Sequence, residues 1–388
     1  MNPVLFKENG WRFLLNILAT EKAIILCDSN TNQCIERLHL ACPKTQGLPV
    51  IEMPAGEKNK TLKTCEMVWY ELTEHGADRN TVLLNLGGGV VTDLGGFVAS
   101  TFMRGIRFVN IPTSLLGMVD AAIGGKTGVD FGGLKNMIGR FSQPEAVVID
   151  SSFLKTLPSR QYKNGLAEVL KHAFISGNSI LNLLETNEDE LISRSVQVKM
   201  EVVERDEFEA GARKKLNFGH TIGHAIESHF LAAEVNSMFN SQSERIDKTS
   251  RLPTDSDGGD SPFKRGCRGT RRGISQNKNE DLFQGNSLLH GEAIAAGMIL
   301  ESWLSQRITG LSDADLSSVC TVIDSVFSRI PISETDRTAI KKLLIYDKKN
   351  RDGQVQFVLL EAIGDAVIDQ SVSEELLDQA FCFYAAPL

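Results

Sequence analysis

The chain has 388 residues, 42% of them hydrophobic and 23% charged, a length and balance that suit about two globular domains with a sizeable buried core. A formal charge of -8 and a pI near 5.5 argue against nucleic acid or a membrane as partner, because both reward a basic surface. The seven cysteines include no Cys-x-x-Cys pair, the N-terminus has no signal-peptide pattern and no apolar run reaches membrane-spanning length, so a reducing, cytoplasmic setting is expected.

Lys22 to Cys27 reads as a short apolar strand ending in the turn Asp28-Ser29-Asn30. A second strand, Val50 to Met53, leads through Pro54 to Lys60 into a helix from Leu62 to His75. Thr81 to Leu86 is a third, running into Gly87-Gly88-Gly89 and on to Gly96. Strand, glycine turn and helix in that order let bare backbone approach a pyrophosphate at a helix N-terminus, where amides and dipole favour anions. The glycines depart from G-x-G-x-x-G, so a nucleotide cradle and a plain tight turn both stay open. Arg107 to Ile111 ends at Pro112-Thr113-Ser114, and Ala146 to Ile149 ends at Asp150. This alternation predicts a parallel sheet with helices on its faces and ligands at the strands' carboxyl ends, where Asp28, Gly87 to Gly89 and Thr113-Ser114 gather.

Between the glycine turn and residue 158, Asp120 to Gly128 and Gly133 to Gly139 set Lys126 and Lys135 among glycines, as a phosphate-grasping loop does. Ile123, Met137 and Ile138 make it a partly buried loop. After Leu157-Pro158 strand patterns give way to helical periodicity. The expected organisation is an α/β domain over 1–158 and an all-α domain over 159–388, with one extended piece at Val355 to Leu360. Within the second domain, residues 234–286 turn to Ser, Asp, Gly, Arg and Lys with few aliphatics, which predicts a disordered insert.

In Leu216 to Glu227, His220 and His224 stand four apart and share one helix face among small and apolar neighbours. Two imidazoles begin a metal site, but catalytic zinc wants three protein ligands. Glu168, in the helical run Tyr162 to Ile175, and His290, in Leu289 to Ala293, are the candidates to complete it.

Taken together and in this order, Gly87 to Gly96, Arg104 to Phe108, Pro112 to Ser114, Asp120 to Gly139, Gly165 to Glu168, Asn217 to Glu227 and Leu289 to Glu292 resemble the 3-dehydroquinate synthase family. The resemblance implies a Rossmann-like N-terminal domain that binds NAD, a helical C-terminal domain that binds Zn2+ or Co2+, and an active site between them. It implies Glu168, His220 and His290 as metal ligands, leaving His224 for substrate and proton work. Asp28, Asn30, Glu57 and Lys60 would meet the adenosine side of NAD. Gly87, Gly88, Gly89, Asp93, Thr113, Ser114 and Lys135 would hold its pyrophosphate and nicotinamide half.

The implied substrate is 3-deoxy-D-arabino-heptulosonate 7-phosphate, a small sugar phosphate acid. Lys199 and Arg213 would take its carboxylate, and Asp120 would also contact the substrate. Lys126, Asn136, Asn217, His224 and Lys348, or its neighbour Lys349, would surround its phosphate. Arg104 would reach in from a neighbouring subunit of a homodimer. Glu209 matches a proton-transfer position, with a solvated face of an acidic helix (Glu201, Glu204, Asp206, Glu207) as the alternative. Transient oxidation, β-elimination of phosphate, reduction and aldol closure would give 3-dehydroquinate. Competing readings are a sister cyclase whose substrate lacks the carboxylate, a polyol dehydrogenase of related fold, and an inactive relative. The last is kept open by the 70 residues that separate His220 from His290, a gap far longer than the family's.

Overall fold

A computed structural model describes residues 2–132, 134–184, 187–231, 288–344 and 355–386. The expected insert at 234–286 and the lysine pair Lys348 and Lys349 lie outside the described residues. A six-stranded parallel sheet is built from β1 (Val4–Phe6), β2 (Ala23–Asp28), β3 (Val50–Met53), β4 (Val82–Gly87), β5 (Arg107–Pro112) and β8 (Ala146–Ile149). Its order is β1-β8-β5-β4-β2-β3. β2, β4 and β8 are buried along their whole length, as continuous apolar runs are when both faces of a parallel sheet are covered. The chain moves outward from β2 to β3, then returns to β4 on the other side and continues to β5. The strand order therefore reverses between β2 and β4, and the crevice at their carboxyl ends is where an open α/β sheet takes its ligand.

The first half also contains α1 (Lys7–Ile17), α2 (Ile35–Ala41), α3 (Leu62–Glu74) and α4 (Gly89–Thr101). The Thr61 hydroxyl starts α3 by accepting from Thr64 N–H at 3.3 Å. The lysine-bearing segment expected as a loop is instead an antiparallel hairpin of β6 (Lys126–Phe131) and β7 (Leu134–Phe141). Gly128 faces Gly139 across it, and a Cβ on Gly139 would stand 2.3 Å from the Thr127 carbonyl. The glycines that suggest a flexible loop are what let these two strands approach.

The second half is helical: α5 (Ser159–Ser176), α6 (Glu188–Arg205), α7 (220–231), α8 (His290–Ile308), α9 (Asp313–Val326), α10 (Glu334–Leu344) and α11 (Glu374–Ala385). The expected extended piece is β9 (Gln356–Ala362), paired antiparallel with an unexpected β10 (Asp365–Ser371). Among the described residues no helix is long and apolar enough to cross a membrane.

α8 runs through the middle of this half, buried from Gly291 to Ser305 apart from Glu292. It crosses α7 at backbone contact, since a Cβ on Gly297 would lie 2.0 Å from the Gly219 carbonyl and 2.8 Å from Gly223 N. That carbonyl is part of fixed backbone and has nowhere to go. Gly297→Ala is therefore expected to destabilise the fold by about 3 kcal/mol, seen as a lower urea midpoint at unchanged m-value. Because α7 carries His220 and α8 begins at His290, this crossing also sets how far apart the two imidazoles stand.

Candidate active site

Gly219 opens α7 at φ +78°, a left-handed conformation that costs glycine little. The first amides of α7 find a buried acceptor on α8, with Gly219 N–H donating to Glu301 Oε2 at 2.6 Å and Ile222 N–H to Glu301 Oε1 at 3.1 Å. A carboxylate at a helix N-terminus meets unsatisfied donors and the positive end of the dipole together. With the helix start fixed, the ring centroids of His220, His224 and His290 form a triangle of sides 5.1, 5.6 and 5.7 Å. One ring nitrogen from each lies within 4.8 Å of the others.

Beneath the triangle sits Glu168 of α5, fully buried. Its Oε1 lies 3.5 Å from His220 Nε2 and 3.4 Å from His290 Nε2. That oxygen has no hydrogen-bond partner among the described residues. Such an orphan normally costs ~1–3 kcal/mol, and a cation is the simplest thing to satisfy it. Donors held about 2.0–2.2 Å from a tetrahedral metal stand about 3.3–3.5 Å from one another, which matches the observed separations. The three histidines are an alternative ligand set by proximity, as are Asp120, Glu168 and His172, but only Glu168 with His220 and His290 sets the unsatisfied oxygen between two imidazole Nε2 atoms.

Both candidate imidazoles are oriented from behind. His220 Nδ1 donates to the Phe218 carbonyl at 3.1 Å and His290 Nδ1 to Glu227 Oε2 at 3.2 Å. With Nδ1 donating in each case, both Nε2 atoms face Glu168, where a cation that displaces any proton they carry would take their lone pairs. Burial resists charge on Glu168, but Lys171, His220 and His290 overcome it and hold the carboxyl well below its ordinary range. Burial likewise resists charge on His290, yet Glu227 and Glu168 raise it to about 9 in the metal-free site. The site is thus prepared for positive charge before any ion arrives.

A polar layer continues under Glu168. Lys171 pairs with Glu168 Oε2, and Lys199 Nζ reaches both the Asp120 carbonyl, at 2.7 Å, and its Oδ1, at 2.5 Å. Burial lowers Lys199, Asp120 opposes it, and the net shift is downward. His172, pushed down to about 3 by burial and the nearby Lys171, contacts Ser195 Oγ through Nδ1 at 2.7 Å.

The family model for the 3-dehydroquinate synthase N-terminal domain matches residues 50–164, and that for the C-terminal domain matches 165–236 and 277–350. The chain belongs to the 3-dehydroquinate synthase family. It is 37% identical to the 3-dehydroquinate synthase of Parabacteroides distasonis over 95% of this chain and 93% of that one. With the enzyme of the same name from Acinetobacter baylyi it shares 34% over 90% and 87%. Among solved structures it resembles 2-epi-5-epi-valiolone synthase from Streptomyces hygroscopicus subsp. jinggangensis with NAD+ and Zn2+ bound. That match has a TM-score of 0.75 at 25% identity and covers 99% of this chain and 97% of that one. A 2-deoxy-scyllo-inosose synthase shares the fold at TM-score 0.72 and 23% identity, over 97% of this chain and 95% of that one. Residues 237–276, most of the polar insert, fall between the two matched parts of the C-terminal family model.

For a member of the 3-dehydroquinate synthase family, the expected residues sort into groups along the cleft. Asp28, at the end of β2, accepts from Asn30 N–H at 2.9 Å and Thr31 N–H at 2.8 Å, so its Oδ1 shapes the turn that presents Asn30. Gly88 caps α4 with no side chain, and a Cβ there would meet Ser114 Oγ at 3.2 Å, so the turns after β4 and β5 lie against each other. Thr113 N–H donates to the Gly87 carbonyl at 3.0 Å. Lys60, expected beside Asp28 and Asn30, instead meets Asp93 Oδ2 at 2.5 Å and Asn136 Oδ1 at 2.7 Å. Asn136, expected near the substrate phosphate with Lys126, is thus in contact with Lys60, expected at the cofactor. Glu57 lies 3.4 Å from Lys135.

On the substrate side, Glu209 joins Lys126 to Asn217, pairing with the lysine and accepting from Asn217 Nδ2 at 2.8 Å. α6 ends at Arg205, so Glu209 stands on a turn at φ +62° rather than on an acidic helix, which corrects the solvated-helix alternative. Such a backbone conformation for a non-glycine residue costs of order 1–3 kcal/mol and concentrates at functional sites. Arg213 is buried and donates to the Gly124 carbonyl at 3.1 and 3.2 Å. Gly124, at φ +98°, admits that contact because a Cβ would stand 2.5 Å from Arg213 Nη2. Arg104 is exposed at φ +69°, between Met103 at +49° and Gly105 at +118°.

Sequence reasoning missed Glu227, Lys171 and Glu301. Glu227 follows His220 by seven residues and His224 by three, which puts all three on one face of α7. A carboxylate in that otherwise apolar stripe is the signal that marks it.

Proposed function

We propose that this chain is a 3-dehydroquinate synthase. It converts 3-deoxy-D-arabino-heptulosonate 7-phosphate to 3-dehydroquinate and phosphate by transient oxidation, β-elimination, re-reduction and intramolecular aldol cyclisation, a carbon–oxygen lyase reaction of the shikimate pathway. The observation that carries this reading is Glu168 Oε1, buried between the Nε2 atoms of His220 and His290 and without a hydrogen bond among the described residues. Glu168, His220 and His290 would hold zinc, and the crevice between β2 and β4 would hold NAD. Bound there, zinc supplies Lewis-acid polarisation of a substrate hydroxyl and NAD supplies a reversible hydride acceptor.

The chain's own residues do the rest. His224 faces the triad without being needed to complete it, and its imidazole can move a proton at the substrate. Lys126 and Asn217 would grip the phosphate, with Glu209 holding the lysine in place until the anion arrives. Lys199 and Arg213 would place positive charge at the substrate's carboxylate end, and Asp120 orients Lys199. The α4 N-terminus and Lys60 would meet the cofactor's phosphates. The exposed, strained turn at Met103 to Gly105 supports a homodimer in which Arg104 enters the partner's cleft. A change of domain at residue 158 and a cytoplasmic location complete the proposal.

The assay is phosphate release from the heptulosonate phosphate with catalytic NAD. One phosphate per substrate without net NADH is expected. Accumulating NADH would point to a dehydrogenase, activity only on a heptulose phosphate lacking the carboxylate to a sister cyclase, and no phosphate to an inactive relative. Removing residues 237–276 is expected to leave turnover within about threefold of the full chain, because loop closure changes by only ~0.6 kcal/mol per doubling of length. Loss of folded protein on that deletion would show that the segment packs.

A further inference from the structure

Glu227 is 2% exposed, and its two oxygens serve different halves of the molecule. Oε2 accepts from His290 Nδ1 at 3.2 Å, and Oε1 accepts from Lys135 Nζ, on β7, at 2.6 Å. Lys135 in turn lies 3.4 Å from Glu57, so one ammonium is shared between a cofactor-side carboxylate and a metal-side carboxylate. We propose that Glu227 is a positioning residue that couples the two ligand sites, making occupation of the metal site and of the cofactor pocket strengthen each other. The proposal rests on the reading of Glu168, His220 and His290 as a zinc site and of Lys135 as a contact of NAD.

The coupling follows from what one carboxylate can do at once. While Lys135 neutralises Glu227, the carboxylate is a weaker acceptor for His290 N–H. A phosphate-bearing cofactor that draws the ammonium toward itself leaves Glu227 bound chiefly to His290. The N–H donation strengthens, and Nε2 becomes a better electron-pair donor to a cation. Linkage makes the effect reciprocal, so zinc must favour NAD by the factor with which NAD favours zinc. A merely structural Glu227 would lower stability and leave that factor unchanged.

The test uses the full chain, with zinc affinity measured against a chromophoric chelator with and without saturating NAD+. In the wild type NAD+ is expected to tighten zinc about fivefold or more. Glu227→Gln should weaken zinc about 10- to 100-fold and lose the NAD+ effect. Lys135→Met, which leaves the His290 contact in place and removes the competing ammonium, should by itself tighten zinc about fivefold, as NAD+ does in the wild type, and lose any further NAD+ effect; unchanged zinc affinity without NAD+ would also overturn the proposal. Wild-type zinc affinity in Glu227→Gln, or an NAD+ effect that survives in Lys135→Met, overturns the proposal. Melting curves of the metal-free proteins identify a Glu227→Gln chain that fails to fold, and Lys135→Met then decides alone. A wild-type chain that holds no zinc overturns the metal reading and the coupling with it.

Discussion

His220→Ala should purify without stoichiometric zinc and lose about a thousandfold or more in turnover, because Lewis-acid stabilisation worth several kcal/mol goes with the metal. Only Glu168 and His290 remain of the proposed ligand set, and two donors do not hold zinc against bulk water. The variant carries its own control, since the His224 ring stands 5.1 Å from that of His220 and is placed to substitute. Retained zinc in the single variant, lost only when His224 is also removed, would mean that His224 takes the vacated position beside Glu168 and His290, whereas zinc lost in His224→Ala but kept in Glu168→Gln would mean that the three histidines are the ligands. Folding is checked separately by the melting curve of the metal-free variant against that of the metal-free wild type.

Much of this arrangement is legible in the sequence, for physical reasons that differ by element. The central strands are readable because a parallel sheet covered on both faces demands uninterrupted apolar runs, as in Ala23 to Cys27 and Val82 to Leu86. The β6–β7 hairpin is not, because its tight approach is achieved with Gly128 and Gly139 and with Asn136 at φ +52°, residues that argue for a loop when met one at a time. The spacing of His220 and His224 announces a site but not its membership. Glu168 and His290 come from α5 and α8, and nothing local links those helices to α7. Their convergence depends on the glycine crossing at Gly219, Gly223 and Gly297 and on the Glu301 cap, which are long-range contacts that periodicity does not encode. The resemblance to the family supplied what spacing lacked. For Lys60 the resemblance assigns a cofactor contact, and the structure adds its partners in the ligand-free protein, Asp93 and Asn136.

Lys126→Ala should lower turnover about 100- to 1,000-fold while leaving NAD+ affinity within about twofold of wild type, the cost of removing one charged donor from a phosphate in a closing site. The asymmetry follows from partners. Lys126 pairs with Glu209, which also accepts from Asn217, whereas Lys60 contacts Asp93 and Asn136, and Lys135 contacts Glu57, the groups proposed for the cofactor. In the ligand-free protein Glu209 holds Lys126 in position, and a substrate phosphate must compete with that carboxylate for the ammonium. Glu209→Gln removes the competitor, so it should bind inorganic phosphate more tightly than wild type even if proton transfer is impaired. Lys126→Ala should bind it more weakly, by about 10-fold or more, as loss of a charge-assisted hydrogen bond worth ~1.5–3 kcal/mol requires. Opposite signs in the two variants place both side chains at one anion. An unchanged rate in Lys126→Ala would remove the lysine from the phosphate pocket and leave Asn217 and His224 to hold it.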